Sequence, residues 1–524
     1  MTAIPSYTQK TTAWQAFISL LKGYVGPGCL SLPWAISQLG LPFGILTVFG
    51  VSYWTSTNVW HIVLLKRDYE RTLSSPNNNN NVNNNVNNNI TYPQVGTWLY
   101  GKRFGQFLAF MICVQQLSVC TVFLSFIGEN LSAVIRHTLW GNVSHTLVIS
   151  MVLPAAMGLA CLPTVKVLAP VMALATTTLF AGFAFLFYLI LEDWKDRPQD
   201  PPISIQDFSQ LPLAICAILY SFEGICLILP IETSMQHPEQ FVWVFVSAMS
   251  ISAIIFALVA ASSVLSFGPI DSGSITAFLV EHNGDNDNGL NVLYAANTLV
   301  SVAVLLTYPL QLFPSYELVG PVVAKHFTTN CTSETHGAYV AASSIEQEQN
   351  TIPQEAPFCD EEETRSSERV RIPQLPSRDS QDSGVDSQTN HNNDNHQKDY
   401  WNYFGTSYGD TLFVRAGLVL ITYFFAIIVP DVQLLVSLVG AVSGSTTCLL
   451  VPPLLQLQYW KTLERQEENT WRPWYYQRQR LKCYFLLIMG SIVLVIGTGA
   501  SLRDIIRTYN QGNAQDETRN RAVI

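Results

Sequence analysis

The amino-acid sequence predicts an all-α polytopic membrane protein, and three observations carry that expectation. Only 13% of the 524 residues are charged, against 48% hydrophobic, whereas a soluble domain usually carries about 25% charged residues. Mean hydropathy is +0.22 even though two stretches are plainly polar. The apolar residues also fall into runs of about twenty, the length of helix that crosses a hydrocarbon core roughly 30 Å thick. A soluble enzyme of several domains is excluded.

Eleven such runs follow one another, at residues 13–39, 41–65, 104–127, 146–162, 167–191, 211–231, 241–267, 290–319, 412–429, 432–459 and 483–502. The third meets no charge before Glu129, and the fourth is the shortest and carries Pro154. Two segments lie outside this pattern. Residues 77–89 are almost pure asparagine, and residues 324–410 are acidic and rich in Ser, Gln, Asn and Pro. Neither has an apolar face to bury, so both read as disordered loops.

Cytosolic loops carry the excess of Lys and Arg. The second–third connection holds Lys66, Arg67, Arg71, Lys102 and Arg103, and the tenth–eleventh holds Lys461, Arg465, Arg472, Arg478 and Arg480. The seventh–eighth loop has Asp271, Glu281, Asp285 and Asp287 with no Lys or Arg. The resulting plan has a cytosolic N-terminus (1–12), helices one to eight (13–319) with a cytosolic Asn-rich loop at 66–103, and a disordered cytosolic loop (320–411). Helices nine to eleven (412–502) and a C-terminal tail (503–524) complete it. The N-terminal ten residues lack a basic-then-apolar signal peptide, so the first helix is expected to be its own uncleaved signal. The ten cysteines show no CxxC or metal-ligand spacing and read as small buried hydrophobes. No basic, aromatic-rich patch points to nucleic acid, and no cofactor site or nucleophile–base pair points to an enzyme.

Two spans are interrupted. Gly26-Pro27-Gly28 lies mid-membrane in the first, where proline removes a donor and flanking glycines weaken the helix. Unwound backbone at that depth persists only against protein or a watery cavity. In the sixth, Ser221-Phe222-Glu223-Gly224 puts a carboxylate inside an apolar run. An intramembrane acid is a functional-site hypothesis by default, although its other role is to bond the freed amides and lock the break. Five helices separate the breaks, so helices one to five and six to ten form inverted halves. Paired interruptions in such halves point to a transporter site. The substrate residues expected there are Tyr24, Gly26, Pro27, Gly28, Ser221, Phe222 and Gly224. Helix N-termini at the breaks favour an anionic group such as a carboxylate.

Leu20-Leu21-Lys22-Gly23 followed by Gly26, Gly28 and Leu32-Pro33 resembles the first helix of the amino acid/auxin permease superfamily. Phe222-Glu223-Gly224 with Leu229-Pro230-Ile231-Glu232 and Pro238 resembles its proton-coupled amino acid transporter branch. So do Ile428-Val429-Pro430, Ser437-Leu438-Val439-Gly440 and Pro452-Pro453; Tyr308-Pro309-Leu310-Gln311 matches less closely. The likeness covers the membrane part and implies a LeuT-like five-plus-five fold with helices one and six broken. It also implies secondary transport of amino acids at the plasma membrane or the vacuolar/lysosomal membrane. Several relatives carry His before Leu-Leu-Lys-Gly, where this chain has Ser19. His61 lies near a helix end and His137 and His145 in a loop, so H⁺ coupling is expected at Glu223 or at another group, with Na⁺ as the other co-ion. The contrasting reading is a nutrient receptor that signals through the 320–411 loop.

Lys22 has a choice of Glu223, Glu317 or the membrane interface. Gln115 and Gln116 either line the site or bridge helices. Asn142 and Asn130 head sequons in the outer third–fourth loop and are the expected glycan acceptors. Asp382-Ser383-Gly384-Val385-Asp386-Ser387 resembles the double-phosphoserine motif read by ubiquitin-ligase receptors, with Ser383 and Ser387 as the phosphorylated positions.

Overall fold

The first expected span is two helices. In the computed structural model α1 (Ala13–Tyr24) stops at Val25–Gly26, and α2 (Pro27–Leu39) starts on the proline. Thr12 begins α1 with a reciprocal cap: its hydroxyl accepts the Gln15 amide at 3.3 Å and its amide donates to the Gln15 side chain at 2.9 Å. Pro27 takes the first helical position, where a missing N–H costs nothing. α3 (Leu41–Leu73) is followed by a short α4 (Tyr92–Tyr100) that hydropathy does not mark, then α5 (Lys102–Thr138), α6 (His145–Ala160) and α7 (Val165–Trp194). The sixth span is also two helices, α8 (Leu211–Ser221) and α9 (Ile225–Ser234). After them come α10 (Phe241–Phe267), a short α11 (Ile275–His282), α12 (Leu290–Glu346) and α13 (Tyr408–Ile428). α14 (Val432–Val439) passes through a π-helical segment, Gly440–Leu450, into α15 (Val451–Gln466). α16 (Pro473–Ile492) passes through a second, Val493–Gly497, into α17 (Thr498–Val523).

The structure describes residues 10–73, 90–138, 143–162, 165–194, 202–282, 290–346, 408–429, 431–466 and 473–523. The chain forms two units, Met1–Val319 with Phe413–Ile524, and Gly320–Leu412. Among the described residues seven helical stretches, with α8 and α9 taken together as one, are long and apolar enough to cross a membrane, and two shorter apolar ones lie at His145–Ala160 and Leu412–Ile428. α1 and α2 are each too short to count. α3 is diluted by Ser52, Thr55, Asn58 and His61, all buried against protein.

Packing centres on the broken helices. α2 lies along α8 and α10, α1 along α10, and α14 with its π-helical segment along α8. Such contacts between apolar helices depend on close fit, since lipid tails are as apolar as leucine. Asn58 of α3 donates to the Cys448 carbonyl at 2.6 Å, and Tyr92 of α4 to the Thr447 carbonyl at 3.2 Å. Both bonds satisfy carbonyls of the π-helical segment.

Several expectations are corrected. His61 is not near a helix end but well inside α3, because that helix runs on to Leu73. His145 opens α6 instead of lying in a loop, and its Nε2 pairs with the Ser125 carbonyl at 3.0 Å. The eighth span runs past residue 319 to Glu346, so residues 324–346 are helical, and residues 503–523 continue α17. Asn130 is no glycan acceptor in this fold. Its amide is wholly buried in α5, donating to the Phe126 carbonyl and accepting from Ser274 and Thr276. Asn142, Ser383, Ser387 and the asparagine tract lie outside the described residues.

Candidate functional site: two helix breaks around one cavity

The breaks meet. Gly28 and Ser221 are in such close contact that a Cβ on Gly28 would lie 3.0 Å from the Ser221 Cα and 3.1 Å from its Oγ. The Ser221 hydroxyl reaches across, 2.9 Å from the Gly28 carbonyl and 3.1 Å from that of Ala217. Gly224 faces the Tyr24 ring, which a Cβ there would meet at 2.9 Å. The absence of two Cβ atoms therefore allows the half-helices to approach.

Between them lies a cavity of about 50 Å³. Tyr24, Gly26, Pro27 and Gly28 line it from the first break, and Ser221, Glu223 and Gly224 from the second. Phe222 is not brought to it: its ring is fully buried against Phe256, with centroids 5.1 Å apart. The opposite wall comes from α5 and α12 through Gln115, Gln116 and Gln311. Gln311 entered the sequence reading only as part of a motif, and Cys226 and Tyr220, which also line the cavity, did not stand out among apolar neighbours.

The polar groups are unevenly satisfied. Both Glu223 carboxylate oxygens and the Tyr24 hydroxyl are sealed from solvent with no hydrogen-bond partner. The Ser443 hydroxyl beside Glu223 donates instead to the Val439 carbonyl at 2.8 Å. Glu223 therefore does not lock the break by bonding freed amides. Lys22 pairs with neither Glu223 nor Glu317; its Nζ donates to the Met172 carbonyl of α7 at 2.6 Å.

Three further features lie away from the cavity. At the far end of α9, Glu232 is wholly buried and held by Lys66 Nζ and Arg67 Nε of α3, each at 3.0 Å. The segment before α1 is stitched to the same end of α9: Thr11 N donates to the Ser234 carbonyl at 2.7 Å and Gln236 N to the Thr11 carbonyl at 2.9 Å. Toward the other end of α5, roughly 20 Å along the helix from Gln115, a basin of about 540 Å³ is lined by Glu129, Asp271, Glu281 and Asp431 with Arg136 and His145. Burial holds the Asp431 carboxyl above the ordinary aspartate range, and His145 draws it partly back.

Interrupted helices that enclose a polar cavity within a bundle of apolar helices define a polytopic membrane protein. The chain belongs to the transmembrane amino acid transporter protein family, whose model matches residues 9–503. Vacuolar amino acid transporter 4 of Saccharomyces cerevisiae is 25% identical over 331 residues, 61% of this chain and 42% of that protein. The proton-coupled amino acid transporter-like protein pathetic of Drosophila melanogaster is 24% identical over 320 residues, 59% of this chain and 64% of that one. Amino acid transporter AVT3B of Arabidopsis thaliana is 25% identical over 325 residues, 59% and 71% of the two chains. Among solved structures, MhsT in complex with L-phenylalanine matches 91% of this chain and 98% of its own, at 10% identity and a TM-score of 0.43.

Proposed function

We propose that this protein is a secondary active transporter of amino acids that works by alternating access and couples to protons through Glu223. The reading takes the eleven-helix, LeuT-like plan with two inverted halves, in a plasma or vacuolar/lysosomal membrane. The observation that carries it is the meeting of both helix breaks at one cavity that also holds an unpartnered carboxylate.

The substrate carboxylate lies against the free amides around Gly26 and Gly28, where the N-terminus of α2 favours negative charge. Its amino group lies toward the last carbonyls of α8; those of Leu219 and Tyr220 accept the Phe222 and Glu223 amides at 3.2 and 3.0 Å, and each keeps a second lone pair for the substrate. Ser221 holds the two breaks together, since its proton is already engaged by carbonyls. Phe222 anchors the second break from behind. A buried carboxylate without a donor is costly, so Glu223 takes a proton on the acidic side and releases it on the cytosolic side as the halves rock.

Reconstituted into liposomes, the Glu223→Gln variant should still exchange bound amino acid across the membrane but lose accumulation driven by a pH gradient. If it still concentrates substrate under that gradient, Glu223 is not the proton carrier. Accumulation by the unmodified protein that follows a Na⁺ gradient instead moves the coupling to Na⁺.

A further inference from the structure

We infer that the substrate side chain is neutral and polar, ending in an amide or a hydroxyl, and that Gln116 and Gln311 select it. The inference rests on the transport reading above and names the substrate class of the same site. Opposite the helix breaks, the wall of the cavity carries three glutamines. Gln115 and Gln116 are 1% and 4% exposed, so their amides are removed from bulk water and depend on partners inside the protein.

Those partners are poor. Gln116 Nε2 reaches Gln311 Oε1 only at 3.5 Å, the outer limit of a hydrogen bond, and Gln115 Oε1 accepts from the Cys226 thiol, a weak donor, at 3.8 Å. The two facing amides thus keep donor and acceptor capacity for a group between them. A substrate amide or hydroxyl offers both kinds of partner, whereas a branched aliphatic side chain would part the pair and leave buried amides unsatisfied, which costs more than the bond itself is worth. A site built to hydrogen-bond its substrate rejects an isosteric analogue that cannot reciprocate.

Charge and size narrow the class further. Among the described residues no Lys, Arg or His lines the cavity, and its one ionisable carboxylate is Glu223, so an anionic side chain meets no counter-charge and one like charge. A cationic side chain would compete with the proton for Glu223. The cavity, about 50 Å³, is far below the roughly 300–1,000 Å³ of pockets for drug-sized ligands, which favours a short side chain.

The test uses the full chain in proteoliposomes and isosteric competitor pairs, asparagine against leucine and threonine against valine. The polar member of each pair should inhibit labelled amino acid uptake at concentrations about tenfold lower than its apolar twin. In Gln116→Leu with Gln311→Leu that order should level or reverse, and Gln311→Leu alone should shift it partway. Uptake by the unmodified protein that ranks leucine with asparagine and valine with threonine overturns this inference and leaves the transport reading standing. A variant that transports with the original preference overturns it as well. Absence of uptake for every amino acid overturns both readings.

Discussion

The two glycines of the first break have different neighbours, and a single added carbon separates their roles. At Gly26 a Cβ would meet nothing within 4 Å, and the backbone there is extended, with φ near −155°, which any residue adopts. Gly26→Ala should therefore leave thermal stability in detergent unchanged and lower uptake, because Gly26 lines the cavity. At Gly28 the same carbon meets Ser221 backbone, so Gly28→Val should abolish uptake and cost about 1–3 kcal/mol by overpacking, read as a lower Tm. Equal behaviour of the two variants would remove the distinction. The break itself was legible, since Gly-Pro-Gly and a lone acid interrupt apolar runs in any reading of the chain. Which glycine touches another helix was not, because Ser221 lies 193 positions away from Gly28. Gln116 and Gln311 are separated by 195, and no local pattern pairs them.

Among the described residues, the most strongly buried ion pair joins α3 and α9. Lys66 is 3% exposed and Glu232 is 1% exposed, Arg67 adds a bond to the Pro238 carbonyl at 2.6 Å, and Lys66 one to Thr233 at 3.1 Å. Removing one member of a buried pair that has no other partner costs about 3–5 kcal/mol; here Lys66 keeps Glu70 at 3.2 Å, so that figure is the upper bound for loss of Glu232. Glu232→Ala should accordingly lower the unfolding temperature markedly, and a loss of less than about 1 kcal/mol, typical of exposed pairs, would mean that water reaches the site. From sequence alone Lys66 and Arg67 were loop charges that set orientation. Composition near a helix end records that a charge is present, but not that a carboxylate on another helix will bury it. The π-helical segments were equally invisible, because hydropathy reports apolar length and not the register of backbone bonds.

At the scale of the molecule, the apolar runs located most helices because a chain in lipid must satisfy its backbone bonds within each span. α12 extends beyond its apolar stretch because polar residues continue a helix as readily as they end a membrane crossing. The sequon at Asn130 misled for a related reason: three letters specify an acceptor, while the accessibility of its amide depends on α11 folding back over α5. The stitching of Thr11 to the end of α9 carries a mechanical consequence. Both half-helices on that side, α1 and α9, are tied at their tips, and α9 is tied to α3, so neither half-helix is a free door; the three should swing as one lever. Motion would then fall on weaker joints such as the single bond from Lys22 to the Met172 carbonyl. Thr11 Oγ1 and Ser234 Oγ lie 3.2 Å apart, near enough for a Thr11→Cys, Ser234→Cys pair to bridge on oxidation. A protein locked at that seam should transport as fast as its reduced form, and transport that stops on oxidation and returns with reductant would show that the two tips must part in every cycle.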